Sequence, residues 1–244
     1  MEDKKEWQDI GGMSLLINEE HRFGTDAVLL ESFASALKKD RACDIGTGCG
    51  IIPVLMVKNL RAKNITAIEI QKDATELLNE SILVNNISNI EVLCEDAKNH
   101  SFFDEKIGAG NLDLITCNPP YYKEISGGIY NKDERKTARE EQSLDIYDVC
   151  AFAKRFLKFG GRLCVCYKPH RLADLFDAMR KNALEPKRVR FVQRNITDSP
   201  WLVLVEAKKG AKSFLNVLPP LVMNSNEGQK EIIEIYGEIK QNVR

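Results

Sequence analysis

Spaced metal-ligand pairs are missing from this chain: there is no Cys-x-x-Cys, and the only histidines, His21, His100 and His170, stand far apart. A zinc or iron–sulfur site is therefore not expected, and no metal is assigned. The seven cysteines (43, 49, 94, 117, 150, 164 and 166) are odd in number and lie mostly within apolar segments. That usage suits reduced, buried thiols in a cytoplasm rather than a disulfide framework. No apolar run approaches the ~18 residues of a membrane span. The opening "MEDKKEWQDI" places charges where a signal peptide needs an apolar core. Basic excess is absent too. Lys and Arg number 35 against 36 Asp and Glu, so a nucleic-acid surface must be a local patch.

What is present is an alternation of strand and helix patterns. Residues 25–38 show helical spacing, with Thr25 or Asp26 placed to cap the start. Strands are expected over 42–45, 65–70, 90–97, 112–118, 162–168, 187–193 and 201–209, and helices over 50–60, 72–86, 144–158 and 170–183. Gly160-Gly161 reads as the stop of the helix over 144–158. A final helix from 228 carries an Ile232, Ile233, Ile235, Tyr236, Ile239 stripe, read as a docking face on the domain. This order implies an α/β fold with a mostly parallel, seven-stranded sheet, and an antiparallel pair near one edge. With no linker or repeat in view, residues 1–244 are expected to form a single domain. Within it, 1–40 would lie on the substrate and cofactor side, 41–209 form the core, and 210–244 dock the last helix.

"DIGTGCGIIP" (44–53) follows a strand and opens a helix, the place where open α/β sheets bind ligands. Gly46, Gly48 and Gly50 permit a tight turn and close backbone approach. The Gly-x-Gly-x-x-Gly spacing of dinucleotide sites is absent, and so is Gly-Lys-Ser/Thr, which excludes a P-loop. Asp44 sits badly beside a pyrophosphate and well beside a positively charged ligand. Asp-x-Gly-x-Gly-x-Gly resembles motif I of the class I S-adenosylmethionine (SAM)-dependent methyltransferases, whose fold is Rossmann-like. The resemblance implies SAM as cofactor. It places Glu69, at the next strand end, on the ribose hydroxyls, and Asp96 with Ala97, at the third, beside the adenine. Taken singly, either acid can also be surface charge; it is their order at successive strand ends that suggests the role.

"DLITCNPPYYK" (113–123) ends the fourth strand with two prolines, which remove two donors and fix two φ angles. Asn118-Pro119-Pro120-Tyr121 resembles motif IV of the amino methyltransferases, (Asp/Asn/Ser)-Pro-Pro-(Tyr/Phe/Trp). A conjugated amine is a poor nucleophile because its lone pair is delocalised. The Asn118 side-chain oxygen and the Pro119 carbonyl can accept its two N–H groups and turn the lone pair outward. Tyr121 can stack on a planar target. Alternatively, the segment is a rigid turn with packing tyrosines; Tyr122 has no assigned role. Cys117 reads as a buried strand residue rather than a nucleophile.

"RFGTDAVLLESFA" (22–34), "TAREEQSLDIYDVCAFAKRFLKFGGRL" (137–163) and "NVLPPLVMN…IIEIYG" (216–237) resemble the tRNA(Val) adenine-37 N6-methyltransferases. That resemblance implies a tRNA partner and places Thr25 and Asp26 near the SAM methionine end, although both can equally be helix caps. About 40 residues precede motif I, against the extra helical domain usual in the rival family, the release-factor glutamine N5-methyltransferases. Lys132, Arg135, Lys136 and Arg139 lie in a mixed-charge loop, and Lys187, Arg188 and Arg190 in a basic run. Either set can meet RNA phosphates. The loop can also be a solvated segment and the run a basic sheet edge. Another RNA or DNA amino methyltransferase, or a binding module without turnover, stays open.

Overall fold

The computed structural model describes residues 4–119 and 144–237. Tyr121, Lys132, Arg135, Lys136 and Arg139, together with Ile239 of the C-terminal stripe, lie outside the described residues.

A hairpin, β1 (Glu6–Asp9) and β2 (Ser14–Ile17), opens the chain and precedes helix α1 (Thr25–Ala34). Then follow β3 (Arg41–Ile45), α2 (Ile51–Lys58), β4 (Asn64–Glu69), α3 (Lys72–Val84), β5 (Ile90–Cys94), α4 (His100–Lys106) and β6 (Leu112–Cys117). After the undescribed stretch come α5 (Ile146–Phe156), β7 (Leu157–Tyr167), α6 (Leu172–Lys181), β8 (Leu184–Gln193) and β9 (Leu202–Lys209). Two-residue strands β10 (Asn216–Val217) and β11 (Leu221–Val222) and helix α7 (Asn226–Tyr236) complete it.

The main sheet runs β8-β9-β7-β6-β3-β4-β5, with β10 and β11 both on β8. All pairs are parallel except those of β9, which runs against both β7 and β8. Seven full strands and the antiparallel strand near one edge agree with the sequence reading, and the two short strands bring the sheet to nine. The chain enters this sheet at central β3, moves outward to β5, then returns to β6 on the other side of β3. The strand order thus reverses between β3 and β6, opening a crevice at their carboxyl ends.

Alternation sets the faces. Ala42, Leu114, Cys164 and Cys166 pack with α1, α2 and the hairpin residues Ile10, Leu15 and Ile17. Cys43, Ile45, Ile115, Cys117 and Val165 pack on the other side with Phe103, Phe152 and Phe156 of α4 and α5.

Several expectations are corrected. Helix α1 is capped by Gly24, without a side-chain cap, and ends at Ala34. Neither Thr25 nor Asp26 is the cap; Asp26 Oδ1 accepts from the Ala27 amide at 2.9 Å inside the first turn. Gly160-Gly161 do not stop α5, because β7 begins directly at Leu157 and carries both glycines. A Cβ on Gly161 would stand 3.1 Å from the Leu112 carbonyl, so the glycine permits the close approach of β6 at its register shift. The hairpin, α4 and the short strands lay outside the sequence reading. Nor is His21 isolated: its Nε2 lies 3.0 Å from Asp73 Oδ2, tying the segment before α1 to the start of α3. That bond holds the Asp73 carboxyl below its usual range. Glu20 joins them, with ligand atoms of all three within 4.8 Å. In the C-terminal stripe, Tyr236 is buried and Ile232 and Ile235 pack on the core, whereas Ile233 is exposed.

Candidate active site

The four parallel strands β3 to β6 present Asp44, Glu69, Asp96 and Asn118 at or just beyond their carboxyl ends, along one edge of the sheet. Asp44 is 1% exposed and lies directly across from Thr116 in the β3–β6 register. The Thr116 hydroxyl donates to Asp44 Oδ1 at 2.6 Å. Burial pushes the Asp44 pKa up to about 7, opposed by the Thr116 hydroxyl and reinforced by nearby Glu69.

The glycine loop folds back on β4. The amides of Gly46 and Thr47 donate to the Ile68 carbonyl at 2.9 and 3.1 Å, and that of Gly48 to Glu69 Oε2 at 2.9 Å. Glu69 Oε1 accepts from the Gln71 amide at 3.0 Å, so a buried carboxylate is oriented by two backbone donors. Gly46 and Gly48 take φ of +67° and +55°, values that favour glycine, and a Cβ on either would meet nothing within 4 Å. Gly50 is constrained doubly, by a φ of +85° and by Leu78, 2.2 Å from a notional Cβ. The Thr47 hydroxyl oxygen is buried beside Asp44 and, like that of Thr116, opposes the rise in its pKa.

These observations define the ligand chemistry. Three loop amides are already bonded to β4, so they do not form a phosphate cradle. Two buried acids flank open space over a glycine turn. The donor set fits a cation with a vicinal diol, and SAM, with its sulfonium, amino group and ribose, is such a molecule. Asp96 Oδ1 accepts from the Lys98 amide at 2.9 Å in a tight turn, and Ala97 beside it is buried. Thr25 and Asp26 start α1, which packs against α2 and across β7 and β9. Tyr236 of α7 is buried close to Thr25 and Asp26; burial raises its phenol pKa, the Thr25 hydroxyl opposes, and Asp26 adds to the rise.

Asn118 and Pro119 follow β6 at the switch point, and Asn118 Oδ1 lies 2.9 Å from the Cys166 thiol of β7. Sequence reasoning missed this partner, because its signal is the β6–β7 register rather than a motif. Cys117 is fully buried and burial holds its thiol well above its usual pKa, as expected of a core residue. Of the basic run, Arg188 donates to Glu206 at 2.8 Å and to the Phe33 carbonyl at 3.0 Å, and covers the Phe33 ring. Arg190 is bidentate on Glu231 of α7 and also donates to the Pro219 carbonyl. Lys187 donates to the Lys212 carbonyl at 3.1 Å. All three side chains thus make contacts within the chain.

Comparison with known proteins matches this architecture. A family model of the methyltransferase small domain matches residues 21–183. The tRNA1(Val) (adenine(37)-N6)-methyltransferase of Parabacteroides distasonis is 29% identical over 185 residues, 76% of each chain. The protein of that name from Porphyromonas gingivalis (strain ATCC 33277) is 30% identical over 63% of this chain and 61% of its own. Among solved structures, a predicted O-methyltransferase of Agrobacterium tumefaciens superposes with a TM-score of 0.68 at 20% identity, over 90% of this chain and all of that one. Geranyl diphosphate C-methyltransferase from Streptomyces coelicolor, solved with S-adenosyl-L-homocysteine, gives 0.54 at 14% identity, over 75% and 79% of the two chains. The fold and the site define a class I methyltransferase with SAM as its methyl donor. The chain belongs to the methyltransferase small domain family.

Proposed function

We propose that the chain methylates the exocyclic N6 amine of an adenine in tRNA, with adenine 37 of a valine tRNA as the target. One observation carries the amine chemistry: Asn118-Pro119 stands at the end of β6, at the switch point beside the glycine loop of β3. The bound cofactor supplies an electrophilic methyl group. The chain's own part is to hold the nucleophile. The Asn118 side-chain oxygen and the Pro119 carbonyl accept the two N–H groups of the amine, which frees its lone pair from the ring. No strong base is needed, since the proton leaves after transfer.

The choice of adenine in tRNA rests on the names of the curated relatives and on the likeness of residues 22–30 and 137–141 to that family. A glutamine side-chain amide presents the same pair of N–H groups, so release factors are the rival substrate. Lys168, His170 and Arg171 follow β7 at the same carboxyl end of the sheet as Asn118, and we propose RNA contact there, with Arg171 also paired with Asp174 at 3.1 Å.

Nucleoside mass spectrometry of tRNA from cells with and without the protein tests the reading. N6-methyladenosine in valine tRNA is expected to vanish in the deletion. Tritiated-methyl transfer to release factor and not to tRNA would overturn the assignment. Asn118→Ala should abolish turnover and leave SAM binding nearly intact.

A further inference from the structure

Strands β6 and β7 pair in parallel, with Thr116 opposite Cys164 and Cys117 opposite Val165. The next step of that register sets Asn118 beside Cys166. Cys166 is fully buried, and it packs with Leu114 and Cys164 on the α1–α2 face of the sheet. From there its thiol lies 2.9 Å from Asn118 Oδ1. Asn118 itself is half-buried, at the end of the strand that opens on the crevice.

We propose that Cys166 is a positioning residue: its S–H donates to the Asn118 carboxamide oxygen and fixes which end of the amide receives the substrate amine. The inference rests on the methyltransferase reading of Asn118. A carboxamide has two nearly isosteric ends, an acceptor oxygen and a donor NH2. Rotating it by half a turn would offer N–H groups to an amine that must itself donate, and the site would repel its substrate. A carbonyl oxygen has two acceptor positions. The thiol reaches it from the core and takes one of them. A thiol is a weak donor that stays protonated when buried in apolar surroundings, so it orients the oxygen without bringing charge beside the reaction.

The test compares Cys166→Ala with Cys166→Ser. Both remove the sulfur's bulk, but only serine replaces the thiol donor with another, its hydroxyl, for Asn118. Methyl transfer from tritiated SAM to an unmodified valine tRNA transcript should fall about three- to tenfold in kcat for the alanine variant. The KM for SAM should not change, and kcat should recover in the serine variant. Equal kcat in the two variants would overturn the proposal, because a packing role moves them alike. A substrate-free reading separates this inference from the functional one. The infrared S–H stretch of Cys166, assigned by subtracting the Cys166→Ser spectrum, should shift to the free-thiol position in Asn118→Leu. A band that stays in place would overturn the proposal even if tRNA is the substrate. A shifted band without tRNA methylation would overturn the functional reading and leave the contact standing.

Discussion

Thr116 Oγ1 donates to Asp44 Oδ1 at 2.6 Å, joining the acid that opens the glycine loop to the strand that ends in Asn118. The two residues face each other across β3 and β6, so the acid we assign to the cofactor and the motif we assign to the amine share one pair of strands. Thr116→Val keeps the shape and removes the donor from a buried carboxylate. A hydrogen bond to a charged group contributes about 1.5–3 kcal/mol, so SAM affinity should weaken roughly tenfold or more. Isothermal titration calorimetry measures this directly, and an unchanged Kd would show that the bond does not support the charged form of Asp44.

Asp44 also sets a pH dependence. Its pKa is near 7 in the fold against 3.8 ordinarily, because burial disfavours the carboxylate. Between those values the folded state holds more protons than the unfolded state, so stability falls as pH rises from about 4 to about 7, then levels. Asp44→Asn without ligand should therefore melt higher than wild type at pH 8, with the advantage shrinking towards pH 5. On the proposed role of Asp44, SAM binding uses the ionised form and should weaken in wild type by about tenfold between pH 7.5 and pH 6 beyond any change in the variant. Matching pH profiles for the two proteins in calorimetry would refute the assignment of Asp44 to a cationic ligand.

Much of this was legible because it is local. The alternation of apolar strands and amphipathic helices gave the sheet, and the acids at successive strand ends gave the order of the site. Pairing across strands was not legible. The Asp44–Thr116 and Asn118–Cys166 contacts depend on the β3–β6 and β6–β7 registers, which no periodicity encodes. Gly160-Gly161 misled because a glycine pair after a helical stretch signals a stop, whereas here Gly161 admits the neighbouring strand. The basic run over 187–190 reads in the sequence as an RNA-phosphate contact or a basic sheet edge. Its arginines are drawn inward by Glu206 and Glu231, carboxylates far away in sequence.

Gly228 shows how tightly α7 is seated. A Cβ there would lie 1.8 Å from the Val222 carbonyl oxygen and 2.7 Å from its carbon, both backbone atoms that cannot swing aside. Gly228→Ala should cost about 2–3 kcal/mol and lower Tm by several degrees. Because α7 brings Tyr236 to the start of α1, SAM affinity should fall along with it. Scanning calorimetry with and without SAM checks both, and a wild-type Tm would mean that α7 shifts freely.

Two basic positions separate packing from RNA contact. Arg188 bonds the buried Glu206 and covers Phe33, so Arg188→Ala should lower Tm, by about 1–3 kcal/mol of stability, and leave the salt dependence of tRNA binding unchanged. Lys168 follows β7 at the sheet end that carries Asn118, where we propose RNA contact. Lys168→Gln should weaken binding alike for different tRNA sequences and flatten the plot of log K against log salt by about one phosphate contact. Filter binding over a salt series resolves the two slopes. A flattened slope for Arg188→Ala and an unchanged one for Lys168→Gln would move the RNA surface from the β7 end of the sheet to the face carrying Arg188.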